Sequence, residues 1–163
     1  HFNGPMEYGP RALGSRTILA NATDASINDW LNQRLKRTEF MPFAPVCLEE
    51  HAEELYKNYN AGKYPANFMT ITFYVDDEWA KKLPATTHID NTARPQTINK
   101  EQHPEYYNIL KEYYNITGLP SCINTSFNAH EEPIVRTPEE AINSLQMDAI
   151  DVLAIGNFIV IRN

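Results

Sequence analysis

The sequence predicts an α/β (α+β) domain built on a twisted mixed β-sheet with helices on its surface. Three observations carry this prediction. Segments of helical period alternate with apolar, β-branched runs along the whole chain. A length of 163 residues with 42% hydrophobic content suits one globular domain, residues 1–163, with its own core. No internal repeat or low-complexity segment interrupts the alternation.

The elements follow in order. Over residues 24–36, Ile27, Trp30, Leu31 and Leu35 fall at i, i+3, i+4 and i+8, which predicts an amphipathic helix with Thr23 or Asp24 as N-cap. Residues 49–58 are Glu-rich and predict a helical stretch, and Gly62 and Pro65 then predict a loop over 58–65. Residues 68–75 are mostly β-branched or aromatic and predict a strand. Residues 76–102 are polar and irregular, and predict an ordered loop with at most a short strand near 87–89. Tyr106, Ile109, Leu110 and Tyr113 predict a second helix over 104–116, stopped by Gly118. The apolar run 119–123 ends in Asn124-Thr125-Ser126-Phe127-Asn128, the pattern of a buried strand that delivers polar side chains at its carboxyl end. Thr137-Pro138-Glu139-Glu140 has the form of a capping box opening a third helix, and 151–155 with 158–161 predict a hairpin turning at Gly156-Asn157.

Composition narrows the function classes. No apolar run approaches the roughly 18 residues of a membrane span, and the mean hydropathy of -0.49 predicts a soluble protein without a membrane partner. Two cysteines, Cys47 and Cys122, are too few for a disulfide framework and predict buried thiols in a reducing, cytoplasmic compartment. The net charge of -7 argues against nucleic acid as a partner, since non-specific binding needs basic surface. Residues 1–48 nevertheless carry five Lys and Arg against four Asp and Glu, so a small anion could be held locally there. The chain opens at His1 directly into a dense motif, which raises the expectation of a piece cut from a longer protein.

Four segments carry candidate chemistry. In residues 4–16, glycines and prolines flank Arg11 and Arg16, an arrangement able to hold both toward a phosphate or carboxylate, with Glu7 positioned to orient one of them by a bidentate pair. In 35–45, Lys36 and Arg37 run into an apolar, Pro-rich segment, although basic residues also suit a helix end. Residues 87–96 gather many hydrogen-bonding side chains around Arg94; His88 and Asp90 lack the further ligands of a metal site, so no metal held by this domain's own side chains is expected. Asn124, Ser126 and Asn128 supply amides and a hydroxyl for phosphate or ribose oxygens. Walker, nucleophile-elbow and paired Cys-x-x-Cys motifs do not occur.

Taken together and in this order, Gly-Pro-Arg-Ala-Leu-Gly-Ser-Arg (9–16), Arg-Thr-Glu-Phe-Met-Pro-Phe-Ala-Pro (37–45), Thr-His-Ile-Asp-Asn-Thr-Ala-Arg-Pro-Gln (87–96) and Asn-Thr-Ser-Phe-Asn followed by Glu-Pro-Ile-Val (124–135) resemble the C-terminal region of O-carbamoyltransferases. That family includes enzymes that carbamoylate nodulation factors, aminoglycosides and cephalosporins. The resemblance implies a fold similar to threonylcarbamoyl-adenylate synthases, and a domain that binds carbamoyl phosphate and ATP with Mg2+ to make carbamoyl adenylate. It implies Arg11 and Arg94 as the catalytic contacts to substrate phosphate, and Asn124 and Ser126 as strand-end ligands, with Arg16, Arg37 and Asn128 beside them. It also implies a separate N-terminal domain, holding iron or a similar metal, that transfers the carbamoyl group to an acceptor hydroxyl and would be this domain's partner. The chain departs from the antibiotic-modifying branch at Leu35 and Met41, where that branch has basic residues, and Lys36 stands one position from the first of these.

Two other classes compete. One is a non-catalytic nucleotide- or carbamoyl-phosphate-binding regulatory module, which predicts binding without pyrophosphate release. The other is an interaction domain whose arginines only make surface pairs. Neither the acceptor nor the oligomeric state, a homodimer included, is legible in the sequence.

Overall fold

The computed structural model describes residues 1–36, 43–129 and 132–162. Strand β1 (Thr17–Ala20) is followed by helix α1 (Ile27–Arg34) and strand β2 (Ala44–Leu48). Two single-turn helices, α2 (Ala52–Leu55) and α3 (Lys63–Ala66), lead to β3 (Phe73–Tyr74), α4 (Asp77–Lys82), β4 (Thr92–Ala93) and β5 (Gln96–Ile98). The long helix α5 (Pro104–Thr117), strand β6 (Ser121–Ser126), helix α6 (Pro138–Gln146) and the hairpin of β7 (Val152–Ile155) and β8 (Phe158–Ile161) follow. The central sheet has the order β1-β6-β2-β5, with β6 antiparallel to both neighbours and β5 parallel to β2. The sheet is therefore mixed and the fold α+β, as the alternation of segments predicts.

Both faces of the sheet are covered, and β2 shows the consequence, since all five of its residues are buried. Cys47 and Ile123 of β6 face a cluster that includes Phe43, Leu55, Tyr59 and Phe73. The intervening Val46 and Leu48 face the opposite way, with Cys122 and Ile98, onto Tyr106 and Leu110 of α5. Each such fully buried aliphatic side chain contributes roughly 1.5–3 kcal/mol relative to exposure. A third cluster, with Phe2, Ile18, Leu35, Phe127, Leu145 and Leu153, attaches α6 and the hairpin beside β1.

Local signals end the elements where expected. Thr137 and Glu140 form the reciprocal capping box of α6, Gly118 takes a φ of 72° to close α5, and Gly156 takes a φ of 53° in the hairpin turn. Elsewhere the structure corrects the sequence reading. The predicted strand over 68–75 is reduced to Phe73–Tyr74, because residues 67–70 fold back on the end of α3: Phe68 donates to the Pro65 carbonyl, and Met69 takes a φ of 54°. The loop predicted over 58–65 holds a 3-10 turn and α3. The loop predicted over 76–102 holds α4, β4 and a strand of the central sheet, β5, whereas no strand occupies 87–89. Ser26 rather than Thr23 or Asp24 occupies the N-cap position of α1 and makes no side-chain capping bond; Asp24 instead accepts from the Ser26 amide.

Candidate functional site

The loop before β1 is held from both of its backbone edges. Glu7 Oε1 accepts hydrogen bonds from the amides of Leu13 (2.7 Å), Ser15 (2.7 Å) and Arg16 (3.2 Å). The intervening Gly14 amide donates instead to Thr17 Oγ1 at 3.1 Å, and the other three converge on one anion in the manner of a nest, so the loop closes around its own carboxylate. The predicted bidentate pair of Glu7 with an arginine is thereby replaced, and no Glu7–arginine ion pair occurs among the described residues. From the other edge, Asn124 Nδ2 donates to the Ala12 carbonyl at 3.1 Å and Gln96 Nε2 to the Leu13 carbonyl at 2.8 Å. Gly14 is required where the loop crosses α5: at its φ of 128°, a Cβ would lie 2.5 Å from Tyr106 Cδ1.

This bracing presents Arg11 at one end of the central sheet. There a cavity of about 80 Å3 is lined by Arg11 and Ala12 of the loop, Phe43 and Ala44 at the start of β2, Arg94, and Asn124 to Ser126 at the end of β6. Arg94 lies between β4 and β5 and is half-buried. Burial pulls its guanidinium below the usual arginine range, and the like charge of Arg11 adds to that effect. Among the described residues, neither arginine has an ion-pair partner. Two such guanidiniums facing one cavity are suited to an anion that accepts several charge-assisted hydrogen bonds. Asn124 is 2% exposed, and its Oδ1 is buried without a hydrogen-bond partner. Ser126 Oγ donates to Asn128 Oδ1 at 2.6 Å, while Asn128 Nδ2 donates to the Glu132 carbonyl at 2.7 Å.

Of the sequence candidates, the structure thus brings Arg11, Arg94, Asn124 and Ser126 together. Asn128 does not line the cavity and instead orients Ser126 and closes the turn after β6. Arg16 is buried elsewhere: its guanidinium donates to the carbonyls of Asn3, Gly4 and Ser15 and stands 3.5 Å over the Phe2 ring. Lys36 is exposed past the end of α1 with a φ of 55°, and lines none of the cavities described. Leu35, one position away, is a fully buried core residue packed in the third cluster. Arg37 and Met41 lie outside the described residues.

Sequence reading did not single out Gln96, whose side chain is fully buried and links β5 to both Leu13 and Asn124. Its signal was a long amide opening the short run Gln-Thr-Ile, inside a segment read as loop. His88 and Asp90 meet through Thr92 in a turn, with His88 Nδ1 3.0 Å and Asp90 Oδ1 2.7 Å from Thr92 Oγ1. Among the described residues, no three His, Cys, Asp or Glu side chains gather as a metal site, and no helix is long and apolar enough to cross a membrane.

A larger cavity of about 590 Å3 lies between β1, α1 and the β7–β8 hairpin, lined by Ile27, Trp30, Phe127 and Ile150 among others. Its arginine, Arg34, is already paired with Asp148 at 2.7 Å and Asp151 at 2.8 Å. The chemistry therefore concentrates at the smaller, doubly cationic cavity.

Comparison with known proteins agrees with the order of the motifs. A family model described as carbamoyltransferase C-terminus matches residues 1–162. Protein MJ1058 of Methanocaldococcus jannaschii is 44% identical over 162 residues, covering 99% of this chain and 26% of the relative. Nodulation protein NolO of Bradyrhizobium diazoefficiens is 39% identical over 158 residues, covering 96% of this chain and 29% of the relative. Nodulation protein U of Rhizobium tropici is 40% identical over 127 residues, covering 78% of this chain and 21% of the relative. The chain spans between a fifth and a third of the length of these relatives. With a match that runs through all four of its arginine- and asparagine-bearing motifs, the chain belongs to the family of carbamoyltransferase C-terminal domains.

Proposed function

We propose that this domain binds carbamoyl phosphate and ATP and forms carbamoyl adenylate, which another part of the protein passes to an acceptor hydroxyl. The observation that carries this reading is the pair Arg11 and Arg94, converging on one cavity without a carboxylate between them among the described residues. Carbamoyl phosphate and ATP bring several negative charges to one place, and paired guanidiniums offset that repulsion and stabilise charge developing on phosphorus.

The atoms balance in two steps. Water cleaves carbamoyl phosphate to carbamate and inorganic phosphate. A carbamate oxygen then bonds to the α-phosphorus of ATP, the bond to the bridging oxygen breaks, and pyrophosphate leaves. Arg11 and Arg94 hold the phosphate oxygens, and Asn124 and Ser126 orient the carbamoyl end from the end of β6. Magnesium bound with the nucleotide would supply further charge neutralisation. The donor set fits that role, since arginines and neutral side chains rather than carboxylates line the cavity.

The test is pyrophosphate release from ATP and magnesium, with and without carbamoyl phosphate, alongside an Arg94→Ala control. Release that requires carbamoyl phosphate and falls in the variant supports adenylate formation. Saturable binding of both ligands without release supports a binding module instead, and no binding of either contradicts the site.

A further inference from the structure

We infer that the groove of about 590 Å3 between β1 and the β7–β8 hairpin is a slot for one more β-strand, formed by the residues that lead into His1 in a longer protein, and that this strand joins the central sheet and the hairpin into a single sheet. The inference concerns backbone pairing and is independent of the carbamoyl-phosphate reading.

Residues 1–3 already pair as the end of such a strand. On one side they run antiparallel to residues 15–17: His1 N donates to the Thr17 carbonyl at 2.7 Å, Thr17 N to the His1 carbonyl at 3.1 Å, and Asn3 N to the Ser15 carbonyl at 3.0 Å. On the other they run parallel to β7: Phe2 N donates to the Ala154 carbonyl at 2.8 Å, and Gly156 N to the Phe2 carbonyl at 3.1 Å. Neighbours on both sides mark an interior strand. The bond from the His1 nitrogen needs only the hydrogen that a peptide amide also carries.

Both ladders have a register that extends past His1. Backbone groups alternate sides along a strand. Arg16 O accepts from Phe127 after β6 while Thr17 faces His1, so Ile18 turns to β6 and Leu19 turns its N–H and C=O to the groove. In β7 the Ala154 carbonyl faces Phe2, so the Ala154 amide and both groups of Val152 turn to the same side. Among the described residues, none bonds these groups from the groove. Two more residues of extended chain would satisfy both edges at once. The residue before His1 would donate to the Val152 carbonyl and accept from the Ala154 amide, and the one before that would exchange both bonds with Leu19.

The lining agrees with a strand covered on both faces. Phe2 packs with Ile18, Phe127 and Leu153, whereas the His1 ring stacks on Tyr106 of α5. The groove continues both surfaces, with Phe127 and Ile150 beside the first and Ile109, one helical turn beyond Tyr106, beside the second. The occupant is the preceding chain rather than a separate molecule, because residues 1–3 have begun the pairing in the required direction. This chain covers 26% of protein MJ1058 and 29% of NolO, and its family is that of C-terminal domains, so such relatives carry a long stretch that could supply the strand. The strand would pass through residues 1–3 directly into the loop that carries Arg11, linking whatever precedes it to the arginine cavity.

The experiment is amide hydrogen exchange at Leu19 and Ala154, in this chain and in a longer protein that contains it, with the already bonded Phe2 amide as reference. Exchange at both positions is expected to be at least about a hundredfold slower in the longer protein. Proline in place of either of the two residues before His1 is expected to remove that protection, and this comparison decides even if the shorter chain does not fold. Equally fast exchange in both proteins, or protection that survives both proline variants, overturns the inference. Protection already present in this chain overturns it too, and a dimer in light scattering would then give the slot to a second copy.

Discussion

The side chain of Gln96 donates to the carbonyl of Leu13 at 2.8 Å, tying the parallel strand β5 to a loop 83 positions earlier in the chain. Through its oxygen, Gln96 also accepts from Asn124 at 2.8 Å. One buried amide thus sets the position of the loop that carries Arg11 and, two residues after Arg94, lies beside the second cation. Gln96→Leu preserves the approximate volume and removes both bonds, leaving buried polar groups unpaired. It is expected to destabilise the fold by about 1–3 kcal/mol. Urea denaturation measures this, and an unchanged midpoint would contradict the bracing role.

Gly14 and Gly9 separate backbone strain from steric contact. Both hold positive φ, 128° and 116°, but a Cβ at Gly14 would meet Tyr106 at 2.5 Å whereas one at Gly9 meets nothing within 4 Å. Gly14→Ala is therefore expected to cost about 1–3 kcal/mol more than Gly9→Ala, the usual scale of overpacking. Thermal unfolding of the two variants reads the difference directly.

On the acid side, the carboxyl of Glu140 is held down to about 2 from its usual 4.5 by hydrogen bonds from the Arg136 side chain and amide, with a further bond from the Thr137 amide. A folded-state value below the unfolded one means the contribution to stability is present above pH 4.5 and is lost as pH falls toward 2. Glu140→Gln should flatten that part of the pH–stability curve. Melting temperatures between pH 5 and pH 2 test it, and parallel curves for the two proteins would contradict it.

On the alkaline side, burial lifts the Cys122 thiol to about 12 from 9.0, and burial raises the Cys47 thiol as well. The folded protein keeps both protonated where the unfolded chain ionises, so stability falls as pH climbs from 9 toward 12. A thiol reagent at pH 8 is expected to label neither cysteine in the folded chain and both after denaturation. Rapid labelling of the native protein would contradict their burial.

Sequence patterns revealed those elements whose signals are local. The helical spacing of α1 and α5, the Thr137–Glu140 box and the Gly156 turn need only neighbours a few positions away. Strand β2 gave no alternation because both of its faces are covered, by Phe43 and Tyr59 on one side and Tyr106 and Leu110 on the other. Strand β5 is three residues long and sits in a polar stretch, so only its pairing with Val46 to Leu48 makes it a strand. Residues 68–72 have the composition of a strand, but the turn at the end of α3 overrides it. At the site, Arg11 and Arg94 stood out beside glycine and proline. Arg16 carried the same signal yet packs on Phe2 and its own loop, a difference set by tertiary contacts alone.

The central claim is that Arg11 and Arg94 hold one anion between them. A double-mutant cycle on carbamoyl phosphate binding tests it most directly. Arg11→Ala and Arg94→Ala are each expected to weaken binding by about 1.5–3 kcal/mol, the scale of hydrogen bonds to charged groups. The double variant should lose less than the sum by at least about 0.5 kcal/mol, because the two guanidiniums share a ligand. Unchanged affinity in both single variants, or strictly additive losses, would contradict the account.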